Sequence, residues 1–167
     1  MKTEHEQIVG VFCDVLENQA FMFGEPVDGD SVSPPATDLV IAMISFRGPR
    51  SGRLEVAVSR EMCGEIAANV LGVDPGDVPS EADQEDALKE LLNVVCGHFL
   101  TELGGPDAVF DLSTPAVRTT DGTEWASLID DGEVAAVLVD EHTALLRVGL
   151  EDEDQEGDEA ASPSAGE

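Results

Sequence analysis

The chain has very little positive charge. Lys and Arg number 8 against 36 Asp and Glu, for a formal net charge of -28. So acidic a sequence predicts no basic patch for phosphates, which excludes nucleic acid and anionic membranes as direct partners and favours basic or metal-bearing ones. Long apolar runs are missing too. The longest, residues 39–44, falls far short of the ~20 residues of a membrane span. The opening Met1-Lys-Thr-Glu-His-Glu is too polar for a signal peptide, which points to a cytoplasmic protein. Cysteine frameworks are absent as well. Cys13, Cys63 and Cys96 are odd in number and widely spaced, and no CxxC occurs. His5, His98 and His142 stand at no metal-ligand spacing from them, so buried thiols in a reducing compartment and no metal site are expected.

What is present is enough for one folded domain, with 42% apolar residues in 167. Ile8, Val11, Phe12, Val15, Leu16 and Phe23 recur at helical spacing, so residues 3–24 read as a helix stopped by Gly24 and Pro26, with a loop over 25–37. Residues 38–47 read as a strand, Gly48 to Gly52 as a turn, and Leu54, Val56 and Val58 alternate as a half-buried strand. A helix over 60–71 ends at Gly72, and a turn at Pro75-Gly76 follows. Ser80 and Asp83 form a capping pattern for a helix over 81–103, which stops at Gly104-Gly105-Pro106. Short strands are expected at 109–112 and 124–129, and a hairpin over 134–139 and 143–150. Hairpins dominate, so the fold class is α+β, a mainly antiparallel sheet with helices packed on it and a hint of two related halves. The domain spans 1–150. Residues 151–167 read as an acidic, disordered, solvated tail.

The chemistry-bearing pattern lies on the 81–103 helix. Asp86, Glu90 and Asn93 stand at i, i+4 and i+7, on one narrow face. Leu88, Leu91, Leu92, Val95, Phe99 and Leu103 take the opposite face. Solvated polar residues on a helix need no function: Asp86 suits the positive end of the macrodipole and Glu90 is a good helix former. Asn93 fits less easily, because a mid-helix amide competes for backbone hydrogen bonds. Gly97, one turn further on the same face, costs about 1 kcal/mol against Ala and suggests that close approach matters there. An amide beside a carboxylate on a rigid rod can hold and aim a water molecule.

Twenty-one residues separate Asn93 from Pro115, so the segment reads Asp86-x3-Glu90-x2-Asn93-x21-Pro115. This resembles the signature of the CheC/CheX/FliY family of bacterial chemotaxis phosphatases at all four positions, and the order of elements over about residues 5–150 is closest to the CheX type. The resemblance implies a CheC-like fold and a phosphatase acting on a phosphorylated response-regulator receiver domain such as CheY. It implies that Asn93 orients the attacking water and Glu90 pairs with the receiver's active-site lysine. Asp86 and Gly97 would meet the partner, and Pro115 would shape the strand entry. The chain needs no cofactor of its own, since magnesium belongs to the receiver. Members of the CheC type carry a second motif on the first helix. Here that region reads Asp14-Val-Leu-Glu17-Asn18-Gln19-Ala20, which lacks the amide in register and favours a single site. A homodimer is a further implication of the CheX type.

Two other readings compete. A receiver-binding module without turnover would use the same stripe. A small acidic secretion-type chaperone fits size and charge, but leaves the Asp-Glu-Asn-Pro spacing unexplained and predicts exposed apolar grooves on the strands.

Overall fold

The structure, a computed structural model, describes residues 3–29, 32, 35, 38–74, 77–130 and 134–151. The readings of a turn at Pro75-Gly76 and of an acidic tail over 152–167 lie outside the described residues.

Helix α1 spans Glu4–Val15. Thr3 caps it reciprocally: its hydroxyl accepts from the Glu6 N–H (3.1 Å) and the Glu6 carboxylate accepts from the Thr3 N–H (2.9 Å). The helix widens into a π-turn at Leu16–Ala20 and closes at Phe21, whose φ of 55° is left-handed. It therefore stops at Ala20, not at residue 24 as the periodicity suggests. The wider turn draws Leu16, Ala20 and Met22 into the core, each at most 1% exposed. Strand β1 (Gly24–Val27) follows, where the sequence reading has loop. Gly24 allows this: a Cβ there would come within 3.0–3.3 Å of Val137, Val139 and Cys13.

Strands β2 (Leu39–Arg47) and β3 (Gly52–Ser59) form the expected hairpin. Helix α2 (Arg60–Leu71) is capped by Ser59 and ends at Gly72, whose φ of 71° suits glycine. Helix α3 (Glu81–Gly104) starts where the Ser80 hydroxyl accepts from the Asp83 N–H (3.1 Å). Strands β4 (Asp111–Leu112) and β5 (Ala116–Thr120) come next, the second unforeseen because it is mostly exposed and shows no apolar alternation. Residues 124–129, a strand on the sequence reading, lie in helix α4 (Thr123–Asp130). Asp121 accepts from the Thr123 N–H (3.0 Å) at its start, and Trp125, Leu128 and Ile129 share one face at i, i+3 and i+4. Two turns are too short for that period to stand out. Strands β6 (Val134–Val139) and β7 (His142–Leu150) close the chain as a hairpin.

The seven described strands form one antiparallel sheet in the order β1-β6-β7-β3-β2, with β4 and β5 end to end along the far edge of β2. The order carries an internal two-fold. Each half is a helix, a lead strand and a hairpin: α1, β1, β2–β3, then α3, β4/β5, β6–β7. Each lead strand pairs with the other half's hairpin, β1 with β6 and β5 with β2, while β3 and β7 meet at the centre. The α1 and α3 helices share one face of the sheet and bury the main core, which includes Phe12, Leu16, Ile44, Phe46, Leu88, Leu92 and Phe99. On the other face, α4 covers a smaller cluster of Leu39, Ile41, Ala57, Trp125, Ala136 and Leu145.

Candidate functional site

Helix α3 turns the sequence spacing into geometry. Asp86, Glu90, Asn93 and Gly97 advance by 4, 3 and 4 residues, so they stay within about 60° of arc and about 17 Å of axis. All four are exposed, while Leu88, Leu91, Leu92, Val95 and Phe99 are buried beneath them. Glu90 and Asn93 are less than one turn apart, about 4.5 Å along the axis. Neither side chain makes a hydrogen bond or ion pair with another described residue. Asp86 differs: its carboxylate lies 3.5 Å from the Lys89 ammonium, an exposed i, i+3 pair of little energetic weight. A Cβ added at Gly97 would meet no atom within 4 Å, so glycine there serves no packing need of this chain. The stripe is thus a convex ridge with a carboxylate and an amide facing outward.

Packing holds the ridge still. At its N-terminal end, Arg60 of α2 donates to Gln84 (3.3 Å) and Glu85 (3.3 Å) of α3 and to Thr119 of β5 (2.9 Å). Gln84, 6% exposed, also donates to the Pro79 carbonyl (2.9 Å). One guanidinium thereby ties the ridge helix to the strand that Pro115 leads. Sequence reasoning passes over Arg60 and Gln84, because the partners lie 24 and 59 residues from Arg60. At the other end, a Cβ on Gly104 would meet Ala108 and Phe110 at 3.0 Å, and Gly105 has a φ of 88°. The chain can therefore reverse tightly there, with Phe110 packed edge-on to Phe46 at 6.1 Å between centroids.

Pro115 sits between β4 and β5. Phe46 pairs with Leu112 and Met43 with Ala116, so four steps along one strand oppose three on the other, a one-residue bulge. A residue without an N–H fits the interruption of an edge ladder. Pro115 therefore re-aims the strand beside α3 and is not on the ridge itself.

The region of α1 that aligns with the ridge is closed. Glu17 and Asn18 are exposed, but the Asn18 amide donates to the Asp14 carbonyl (3.0 Å). Ala20, in the register of Asn93, is fully buried, and its carbonyl accepts from the Asn69 amide (2.8 Å).

The thiols are poorly placed for chemistry. Burial pushes Cys63 up to about 11 and Cys96 up to about 12, and raises Cys13, so all three stay protonated at neutral pH. Among the described residues, no group of three His, Cys, Asp or Glu side chains stands ready to hold a metal ion, and no helix is long and apolar enough to cross a membrane. What the arrangement offers is an exposed amide and carboxylate, rigidly spaced, on a surface that must dock onto something else to enclose a reaction.

The sequence profile of the family described as chemotaxis phosphatase CheX matches residues 40–137, more than half of the chain and including Glu90, Asn93 and Pro115. No curated protein sequence matches it. Solved structures do. Chemotaxis protein CheX from Vibrio vulnificus superposes with a TM-score of 0.67 at 19% identity, covering 90% of this chain and 97% of that one. A CheC-like superfamily protein from Shewanella sp. PV-4 gives 0.65 at 22%, covering 91% and 100%. The CheX of a CheX-CheY-BeF3-Mg+2 complex from Borrelia burgdorferi gives 0.60 at 17%, covering 90% and 99%.

Proposed function

The chain belongs to the chemotaxis phosphatase CheX family, and from that premise we propose that it hydrolyses the aspartyl phosphate of a response-regulator receiver domain, with Asn93 aiming the water. The observation that carries this reading is the ridge itself: Glu90 and Asn93 stand less than one turn apart, exposed and free of partners among the described residues. Side chains left so on a helix whose other face is fully packed are available to a partner.

The chemistry asks little beyond placement. An acyl phosphate is already labile, and loss of the phosphoryl group to water regenerates a carboxylate and inorganic phosphate. Catalysis then rests on holding water in line with the breaking P–O bond, as a glutamine does in GTPases. A carboxamide suits this because it is neutral and both donates and accepts, so it fixes a water without repelling the phosphoryl oxygens. Glu90 supplies a carboxylate for the receiver's lysine, which sets the helix against the partner and places Asn93 over the phosphate. Magnesium, on this reading, is held by the receiver and shields the charge there. The complex of the Borrelia burgdorferi CheX with CheY, BeF3 and Mg+2 supports a receiver as the class of partner. Asp86 flanks the contact and Gly97 leaves room for a partner loop.

The test is phosphate release from phosphorylated receiver domains of the same organism. Asn93→Ala and Glu90→Ala should each slow release with unchanged melting temperature. Full activity in both variants would overturn the site. Tight binding by the native chain without accelerated release from any cognate receiver would make it a binding module instead.

A further inference from the structure

A cleft of about 750 Å³ opens between α1 and the β1 edge of the sheet, within the size range of binding pockets. One wall is a face of α1 at i, i+3, i+4 and i+7, made of Glu6, Val9, Gly10 and Cys13. Ile8, Val11, Phe12 and Val15, on the other face of the same helix, are buried in the core. The opposite wall is Pro26 and Val27 of β1 with Ala135 of β6. Helix α1 lies over β1, β6 and β7, and α3 over β2 and β5, so the cleft is on the flank of α1 away from the Glu90–Asn93 ridge.

The cleft has the features of a surface built for an occupant. Gly10 weakens the interior of α1, yet a Cβ there would meet nothing within 4 Å, so the packing of this chain does not require glycine. Its absence of a side chain leaves room for close approach from outside. At one end of the cleft, Phe21 and Phe23 lead into the lining residue Gly24 and are 70% and 64% exposed. Phe21 holds a φ of 55°, a strained conformation for a bulky residue, and its ring still gains no place in the core. Aromatic rings displayed in this way serve as anchors for a partner. Charge is one-sided: Glu6, Asp14 and Asp28 line the cleft, and no described lining residue is Lys or Arg.

Backbone pairing decides between a strand and a helix as occupant. The Asp140 N–H donates to the Phe23 carbonyl (3.3 Å), so alternation turns Phe23, Glu25 and Val27 toward β6 and leaves the backbone groups of Gly24 and Pro26 facing outward. Pro26 has no N–H, so an added strand would lose a ladder bond within a four-residue edge. A helix needs no ladder, and one of about twelve residues, about 18 Å, runs the length of α1. A second copy of this chain would set the same acids against themselves, at a net charge of -28 on each.

We propose that the cleft docks a basic amphipathic helix of another protein. The apolar stripe of that helix lies on Val9, Gly10 and Cys13 and reaches Phe21 and Phe23, and its Lys or Arg side chains stand among Glu6, Asp14 and Asp28. Charge complementarity selects the basic partner, and the blunted edge selects the helix. Because cleft and ridge are on different flanks, both can be occupied at once. The proposal stands independently of the phosphatase reading.

The test uses the full chain and three probe peptides of about twelve residues. One is a Leu/Lys helix with Leu at i, i+3, i+4 and i+7, one has the same composition with Leu and Lys alternating, and one is a Leu/Glu helix. The Leu/Lys helix should shift the amides of 6–14 and 24–28 in NMR spectra. At about ten times its Kd it should slow alkylation of Cys13 about tenfold. The other two peptides should need at least about tenfold higher concentration for the same effect. Gly10→Leu, which fills the cleft, and Phe21→Ser/Phe23→Ser, which removes the rings, should each weaken the Leu/Lys helix about tenfold with the fold intact by amide spectrum. Equal binding of the alternating peptide, shifts spread over the acidic surface with Cys13 unprotected, or indifference to both variants would overturn the docking site. Protection of Cys13 that rises with the concentration of this chain alone would make a second copy the occupant, which also overturns it.

Discussion

Helices α1 and α3 occupy equivalent places in the two halves of the fold, yet only α3 presents a usable face. Both pack on the same side of the sheet and both lead a strand into the opposite half's hairpin. On α3, regular helical geometry runs for 24 residues, and Glu90 and Asn93 emerge together on one ridge. On α1, regular geometry ends at Val15, and the π-turn that follows carries Ala20 into the core, where Asn93 has its counterpart on the surface. The lesson is that a site on a duplicated scaffold can be lost by a change of helical pitch as surely as by a change of residue. Restoring the amide at position 20 would place it in the core, beside Asn69, not in solvent.

The contrast can be tested from both sides. The largest effect is expected at Asn93: Asn93→Ala should lower receiver dephosphorylation on the order of a hundredfold, whereas Asn18→Ala on α1 should change neither rate nor binding. Next, Ala20→Asn should not build a second site. It should destabilise the fold by about 2–4 kcal/mol, through overpacking and an amide buried beside its neighbours, seen as a lowered melting temperature with no gain in activity. Glu90→Ala should cost about tenfold, mainly in the receiver concentration for half-maximal rate and little in the plateau. Gly97 separates docking from stability. A Cβ at Gly97 meets no atom of this chain within 4 Å, so Gly97→Ala should stabilise the fold by up to about 1 kcal/mol of helix propensity, seen as a slightly raised melting temperature, while weakening receiver binding. A rise in stability with unchanged binding would remove Gly97 from the contact. The smallest effect concerns the thiols of the two helices. The raised position of Cys96, about 12, keeps it protonated, so thiolate appears only near and above that pH. Alkylation at pH 8 should therefore modify half-buried Cys13 of α1 slowly and leave Cys96 of α3 untouched until the protein is unfolded.

Much of this was legible in the sequence, for identifiable reasons. Helix α3 was readable because its period, its Ser80 cap and its Gly104-Gly105 stop all agree. The ridge followed directly, since i, i+4, i+7 spacing is geometry once the helix is given. The β2–β3 and β6–β7 hairpins were readable from long apolar strands joined by short turns. Three things were not. The π-turn at Leu16–Ala20 keeps apolar residues at nearly helical spacing, so the sequence cannot announce the change of pitch. Helix α4 shows its period only in Trp125, Leu128 and Ile129, over two turns. The Arg60 network that braces α3 was hidden because its partners lie 24 and 59 residues away in sequence.

The central claim is that Asn93 contributes chemistry and not merely contact. The measurement that addresses it most directly is the single-turnover rate of phosphate loss from a phosphorylated receiver, followed against increasing concentration of the native chain and of Asn93→Ala. The account predicts saturation at the same concentration for both, with the plateau of the variant lowered about a hundredfold toward the receiver's own rate. An equal plateau reached only at higher concentration would contradict it, and would make Asn93 a docking residue.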